Sequence, residues 1–121
     1  MVRGIRGATT VSANNAEKII DSTEELVREM VKKNGIKPEE VAQVLVTTTA
    51  DIDAAFPARA LRKLNDWELV PVMCAREISV EGSLPLCIRV MMTVNTTKTQ
   101  AEVEHIFLHE AKALRPDLAG R

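Results

Sequence analysis

The chain has 121 residues, 45% of them hydrophobic and 27% charged, with a formal net charge of -1 at pH 7. That fits one domain over residues 1–121 with one real core, and with no basic excess and only 2% aromatics it argues against nucleic acid as a partner. No apolar run reaches the length of a membrane span, the N-terminus leads straight into Val2-Arg3-Gly4-Ile5 rather than a signal peptide, and Cys74 and Cys87 form no CxxC, so a cytoplasmic protein with reduced thiols is expected.

Val2 to Val11 (VRGIRGATTV) reads as a strand. Alternation puts Gly4, Arg6, Ala8 and Thr10 on one face and Arg3, Ile5, Gly7, Thr9 and Val11 on the other. Glycines at 4 and 7 flank Arg6, and glycine inside a strand marks a close approach by a ligand or another backbone. Taken alone, Arg6 is equally consistent with a surface arginine on an edge strand.

Ala16 to Asn34 is the strongest helix, with Ala16, Ile20, Thr23, Val27 and Met30 at helical spacing, widened by Ile19, Leu26 and Val31. Asn14 with Glu17 resembles a capping box and Gly35 supplies the stop. Glu24/Arg28 and Glu29/Lys33 are i,i+4 pairs on a wet face. After a turn at Lys37-Pro38-Glu39-Glu40, Val41 to Thr49 (VAQVLVTTT) reads as a second buried strand. Asp51 and Asp53 follow in a loop and read as solvated acids, since no third ligand lies nearby to make a metal site.

Phe56 to Leu64 is a short helix with Pro57 at its first position. Arg59, Arg62 and Lys63 serve solubility there, or draw an anion to the helix start. Trp67 to Met73 (WELVPVM) reads as a third strand, and the interruption at Pro71 argues for an edge or an irregular stretch. Ile78 to Pro85 is a loop.

Leu86 to Val94 (LCIRVMMTV) is an apolar run between turn signals, hence a buried strand with Arg89 in its middle. Guanidinium does not deprotonate, and an unpaired buried charge costs on the order of several kcal/mol. An anion should therefore meet Arg89, either a carboxylate of the protein or a ligand. Gln100 to Leu114 is ambiguous: Val103, Ile106 and Phe107 have helical spacing, while Val103, His105 and Phe107 alternate as in a strand. His105 and His109 lack an accompanying motif for a metal, and none is assigned. The element order gives an α+β domain: a mixed β-sheet with helices on one side. The apolar residues left on the uncovered face call for a homo-oligomer.

Arg3 to Val11 (RGIRGATTV), Phe56-Pro57-Ala58, Val70-Pro71-Val72, Cys87 to Val94 (CIRVMMTV) and Leu114-Arg115-Pro116-Asp117-Leu118 together resemble the trimeric, barrel-like class of chorismate mutases. The resemblance runs over nearly the whole chain. It implies an isomerase of the shikimate pathway, converting chorismate to prephenate for phenylalanine and tyrosine, in which a homotrimer forms a pseudo-barrel with active sites between subunits. By that resemblance Arg89 holds the ether oxygen of the breaking C–O bond and one carboxylate. Arg6 takes a carboxylate from across the pocket, and Glu77 accepts from the ring hydroxyl with Cys74 beside it. Phe56, Ala58, Val72 and Leu114 form the apolar wall, Arg59 lies near a ring carboxylate, and Arg62 and Arg115 stand at the mouth. Two positions depart from the family pattern. Phe107 stands where a tyrosine is usual, and Met73 replaces a smaller polar residue, leaving its backbone as the contact.

Such a rearrangement is pericyclic and needs no nucleophile, general base, metal or redox cofactor. It is helped by holding an extended dianion in a compact shape and by positive charge at the ether oxygen. Arginine suits both tasks, being always charged and forked to match carboxylates. Two other readings stand beside it: a trimer of the same architecture that binds small carboxylates or deaminates imines, and a structural trimer whose arginines pair with its own Glu77 and Asp51.

Overall fold

The computed structural model describes residues 1–114. Five strands, β1 (Val2–Thr10), β2 (Val41–Thr48), β3 (Val72–Arg76), β4 (Cys87–Asn95) and β5 (Ile106–Phe107), form a sheet in the order β3-β2-β4-β1-β5. The sheet is mixed: β4 is antiparallel to both β1 and β2, whereas β2–β3 and β1–β5 are parallel. One α-helix, α1 (Ala16–Asn34), packs on it, and short 3-10 segments cover Pro38–Glu40, Pro57–Lys63 and His109–Ala113. No helix among the described residues is long and apolar enough to cross a membrane.

The helix has the bounds its periodicity predicts. Ile19, Leu26, Val27 and Met30 are fully buried, and each such side chain stabilises the fold by roughly 1.5–3 kcal/mol. Gly35 ends it in the left-handed region, at φ 62°, where glycine carries no steric penalty. Its N-cap is Asn15, whose Oδ1 accepts from Lys18 N at 3.1 Å, and not Asn14. Asn14 instead braces a loop: its Nδ2 donates to Asp53 Oδ1 at 2.7 Å, and its Oδ1 accepts from the backbone N–H groups of Asp53 and Ala54. Asp53 is thus tied to the protein and not simply solvated. Gly7 faces the helix so closely that a Cβ there would lie 2.4 Å from Met30 Sδ. The close approach marked by that glycine belongs to α1 rather than to a ligand.

Along β4, Ile88, Val90, Met92 and Val94 are buried under the helix layer. Arg89 and Met91 are exposed and point to the opposite face, away from α1. Arg89 is consequently not buried, as the apolar run suggested; its side chain is 48% exposed. β1 lies inside the sheet, with β5 on its outer side, so Arg6 is not on an edge strand.

The expected strand over Trp67–Met73 is displaced. Residues 67–70 form turns with Trp67 buried, and β3 begins only after Pro71. Proline offers no N–H to a ladder, and here it contributes its carbonyl, which accepts from Val44 N at 2.9 Å. β3 is an edge strand, as Pro71 indicated. The ambiguous tail is neither a long helix nor a long strand: β5 has two residues, and the 3-10 helix follows it.

Candidate active site

Arg89 is reached from both neighbouring strands. Ala8 of β1 and Thr47 of β2 are its register partners, and the small Ala8 side chain leaves the guanidinium room. Glu77, just past β3, is fixed to β2 by its N–H, which donates to Thr48 O at 2.9 Å. Its carboxylate Oε2 meets Arg89 Nε at 3.0 Å and accepts from Thr47 Oγ1 at 2.8 Å. The anion demanded by Arg89 is therefore present in the chain. It engages one nitrogen of a group that carries five N–H donors.

Arg6, Ala8, Leu45, Thr47, Glu77, Arg89, Met91, Phe107 and Leu114 line one cavity of about 420 Å³ on this open face. Arg6 is half-buried, and its backbone N–H donates to His105 Nδ1 at 2.9 Å. That bond continues the β1–β5 pairing by one position through a side chain. His109 instead pairs with Glu25 on α1, so the two histidines do different work. Phe107 is buried with Ala8 and Ala111, and Leu84 and Leu114 pack against them, closing one end of the cavity.

The entry to β4 is set by a loop acid, Asp51. Asp51 accepts from the Leu86 N–H at 2.9 Å and from the Thr49 hydroxyl. Leu86 has φ 49°, a strained conformation for leucine, and Asp51 fastens it there. Burial pushes the Asp51 carboxyl up, but the Thr49 hydroxyl, the backbone N–H groups and the Arg76 charge outweigh it and hold the group below the usual carboxylate range. Asp51 and Asp53 are both exposed, as loop acids should be, and each also holds a loop through hydrogen bonds. Arg76 clamps the same loop, donating to the carbonyls of Thr49 and Ile52 at 2.9 and 2.7 Å. Burial pushes the Cys87 thiol up, against the opposing charge of Arg89.

The remaining residues implied by the resemblance gather elsewhere. Phe56, Ala58, Arg59, Arg62, Val72 and Cys74 line a separate cavity of about 560 Å³. Val72 and Cys74 pair in register with the buried Val44 and Val46 and pack against the core. Met73, on the open face opposite Leu45, is 72% exposed. A single chain thus holds Arg6, Glu77, Arg89, Phe107 and Leu114 together and the Phe56–Cys74 group apart. Arg115 lies outside the described residues.

Leu45, Thr47 and Ala8 also line the Arg89 cavity and were not singled out from the sequence. Alternation in Val44-Leu45-Val46-Thr47 places Leu45 and Thr47 opposite the core, but only the β2–β4 register sets them beside Arg89.

A family model described as chorismate mutase type I matches residues 2–118. The chain belongs to the chorismate mutase type I family. Among curated relatives, the chorismate mutase AroH of Bacillus subtilis (strain 168) is 47% identical over 119 residues, covering 98% of this chain and 94% of that protein. The chorismate mutase AroH of Thermus thermophilus is 49% identical over 119 residues, covering 98% and 97%. A solved structure of the chorismate mutase from Clostridium thermocellum superimposes with a TM-score of 0.89 at 47% identity, over 92% of this chain and 98% of that one. The chorismate mutase fold therefore extends through both residue groups described above.

Proposed function

We propose that Arg89, Glu77 and Arg6 form the catalytic centre at which this chain, as one chorismate mutase domain, rearranges chorismate to prephenate. Family membership carries the activity itself, that of an isomerase in aromatic amino acid biosynthesis. The assignment of residues rests on one observation: a half-exposed guanidinium that meets a carboxylate at Nε, on a sheet face away from α1, inside a cavity. A half-exposed ion pair stabilises a fold by only about 0–1 kcal/mol, so stability gives little reason for this one.

Chorismate brings two carboxylates, a ring hydroxyl and an ether oxygen. Arg89 donates from its remaining N–H groups to the ether oxygen, which gains electron density as its bond to carbon stretches, and to a carboxylate. Glu77 accepts from the ring hydroxyl. Arg6 holds the second carboxylate from β1. Each contact favours the compact conformer, and the one at the ether oxygen strengthens as charge develops. No proton leaves the substrate.

The assembly completes the site. Phe56, Ala58, Arg59, Arg62, Val72, Met73 and Cys74 serve the cavity of a neighbouring subunit in a homotrimer, with Arg115 at the mouth. The separation of the two residue groups in one chain supports this, as do exposed Phe56, Met73, Leu45 and Met91. Such a bacterial biosynthetic enzyme works in the cytoplasm.

Incubating purified protein with chorismate and following prephenate formation tests the activity; light scattering on the same sample tests the trimer. The Arg89–Glu77 contact also favours the reading of a structural trimer that neutralises its own arginines. Calorimetry with a bicyclic transition-state analogue separates them, because a structural trimer binds none.

A further inference from the structure

Thr47 has no part in the assignment above, yet it stands at its centre. It lies on β2, between the strand carrying Arg89 and the strand leading to Glu77, with Arg89 and Ala75 as register partners. Its hydroxyl donates to Glu77 Oε2, the oxygen that also meets Arg89 Nε. Two donors fill the two lone pairs of that oxygen.

Resting on the catalytic role proposed for Arg89 and Glu77, we infer that Thr47 is a positioning residue that keeps this ion pair open for substrate. With Oε2 pinned by Thr47 and Nε, Oε1 is the oxygen left to accept from the substrate hydroxyl. Arg89 likewise keeps its terminal nitrogens for the anionic ligand. Arginine and carboxylate otherwise favour a two-nitrogen fork. Without the Thr47 hydroxyl the Glu77 carboxylate turns into that fork, and each group occupies the other. Thr47 itself touches no substrate; it acts through Glu77.

Thr47→Val removes the hydroxyl while keeping a β-branched strand residue, and Thr47→Ser keeps the hydroxyl while removing the methyl. Thr47→Val should lose about tenfold or more in kcat/KM, the scale of one hydrogen bond to a charged group. Both parameters should move, kcat falling and KM rising. Thr47→Ser should stay within about threefold of the parent, since the charged bond survives. In a Glu77→Ala background, Thr47→Val should change neither the residual rate nor the affinity for the bicyclic analogue. The inference is overturned if Thr47→Val retains parental kcat/KM, if Thr47→Ser falls as far as Thr47→Val, or if the loss persists in Glu77→Ala. Arg89→Ala in parallel keeps the two questions apart: an active Arg89→Ala overturns the catalytic assignment, whereas an inactive one with a silent Thr47→Val overturns only the role of Thr47.

Discussion

The Arg89–Glu77 ion pair crosses a strand. β2 lies between β4 and β3 in the sheet, so the 3.0 Å contact from Nε to Oε2 passes over Thr47. Only side chains of this length, rising from the same face, can meet there. The pair is a bridge over the open side of the sheet and contributes little to the core beneath.

Removing the cation should therefore cost most of the activity and spare the fold. Arg89→Ala is expected to lose about 10²–10³-fold in rate, the typical effect of deleting a preorganised donor. Arg89→Lys should fail nearly as badly, because a point charge does not reproduce the fork. Thermal midpoints of both variants should stay close to the parent. Parental turnover in Arg89→Lys would refute the assigned role.

A hydroxyl restored at position 107 should strengthen substrate binding. Phe107 lines the Arg89 cavity and packs against Ala8. Phe107→Tyr is expected to lower KM for chorismate with little change in kcat; an unchanged or raised KM would count against that contact.

Gly7 tests the packing of the helix on the sheet. A Cβ there would meet Met30 Sδ at 2.4 Å and Leu26 Cδ1 at 3.0 Å, and both side chains are fully buried. Gly7→Ala should destabilise by about 1–3 kcal/mol, the usual cost of overpacking, measured as a shift in urea midpoint. A parental midpoint would mean that α1 yields without cost.

Asp51 should make stability acid-sensitive in a defined direction. Its carboxyl is held lower in the folded chain than in the unfolded one, so ionisation favours folding. That contribution is fully present above the unfolded value, near pH 4, and disappears as pH falls through the folded value. Asp51→Asn should be less stable than the parent at neutral pH, with the gap narrowing in acid. Urea titrations across pH read it directly; a gap that is constant with pH would exclude linkage through Asp51.

The long helix and the apolar character of β4 were legible because their causes are local. Side-chain periodicity and Gly35 act within a few residues. Pro71 likewise announced an edge strand, although it shifted the strand to its far side. The tail from Gln100 onward was not legible, because β5 exists only through its pairing with β1, a hundred residues earlier in the chain. The structural contacts of the two exposed loop acids were not legible for the same reason: their partners Leu86 and Asn14 are distant in sequence.

From its order of residues alone, this protein reveals an α+β chain, a helix from Ala16 to Asn34 and an arginine that requires an anion. Tertiary structure decided that the arginine faces outward, that Glu77 is the anion and that Thr47 lies between them. The reason is physical. Alternation assigns each residue to one of two faces, but strand order and register determine which face is covered and which side chains share it.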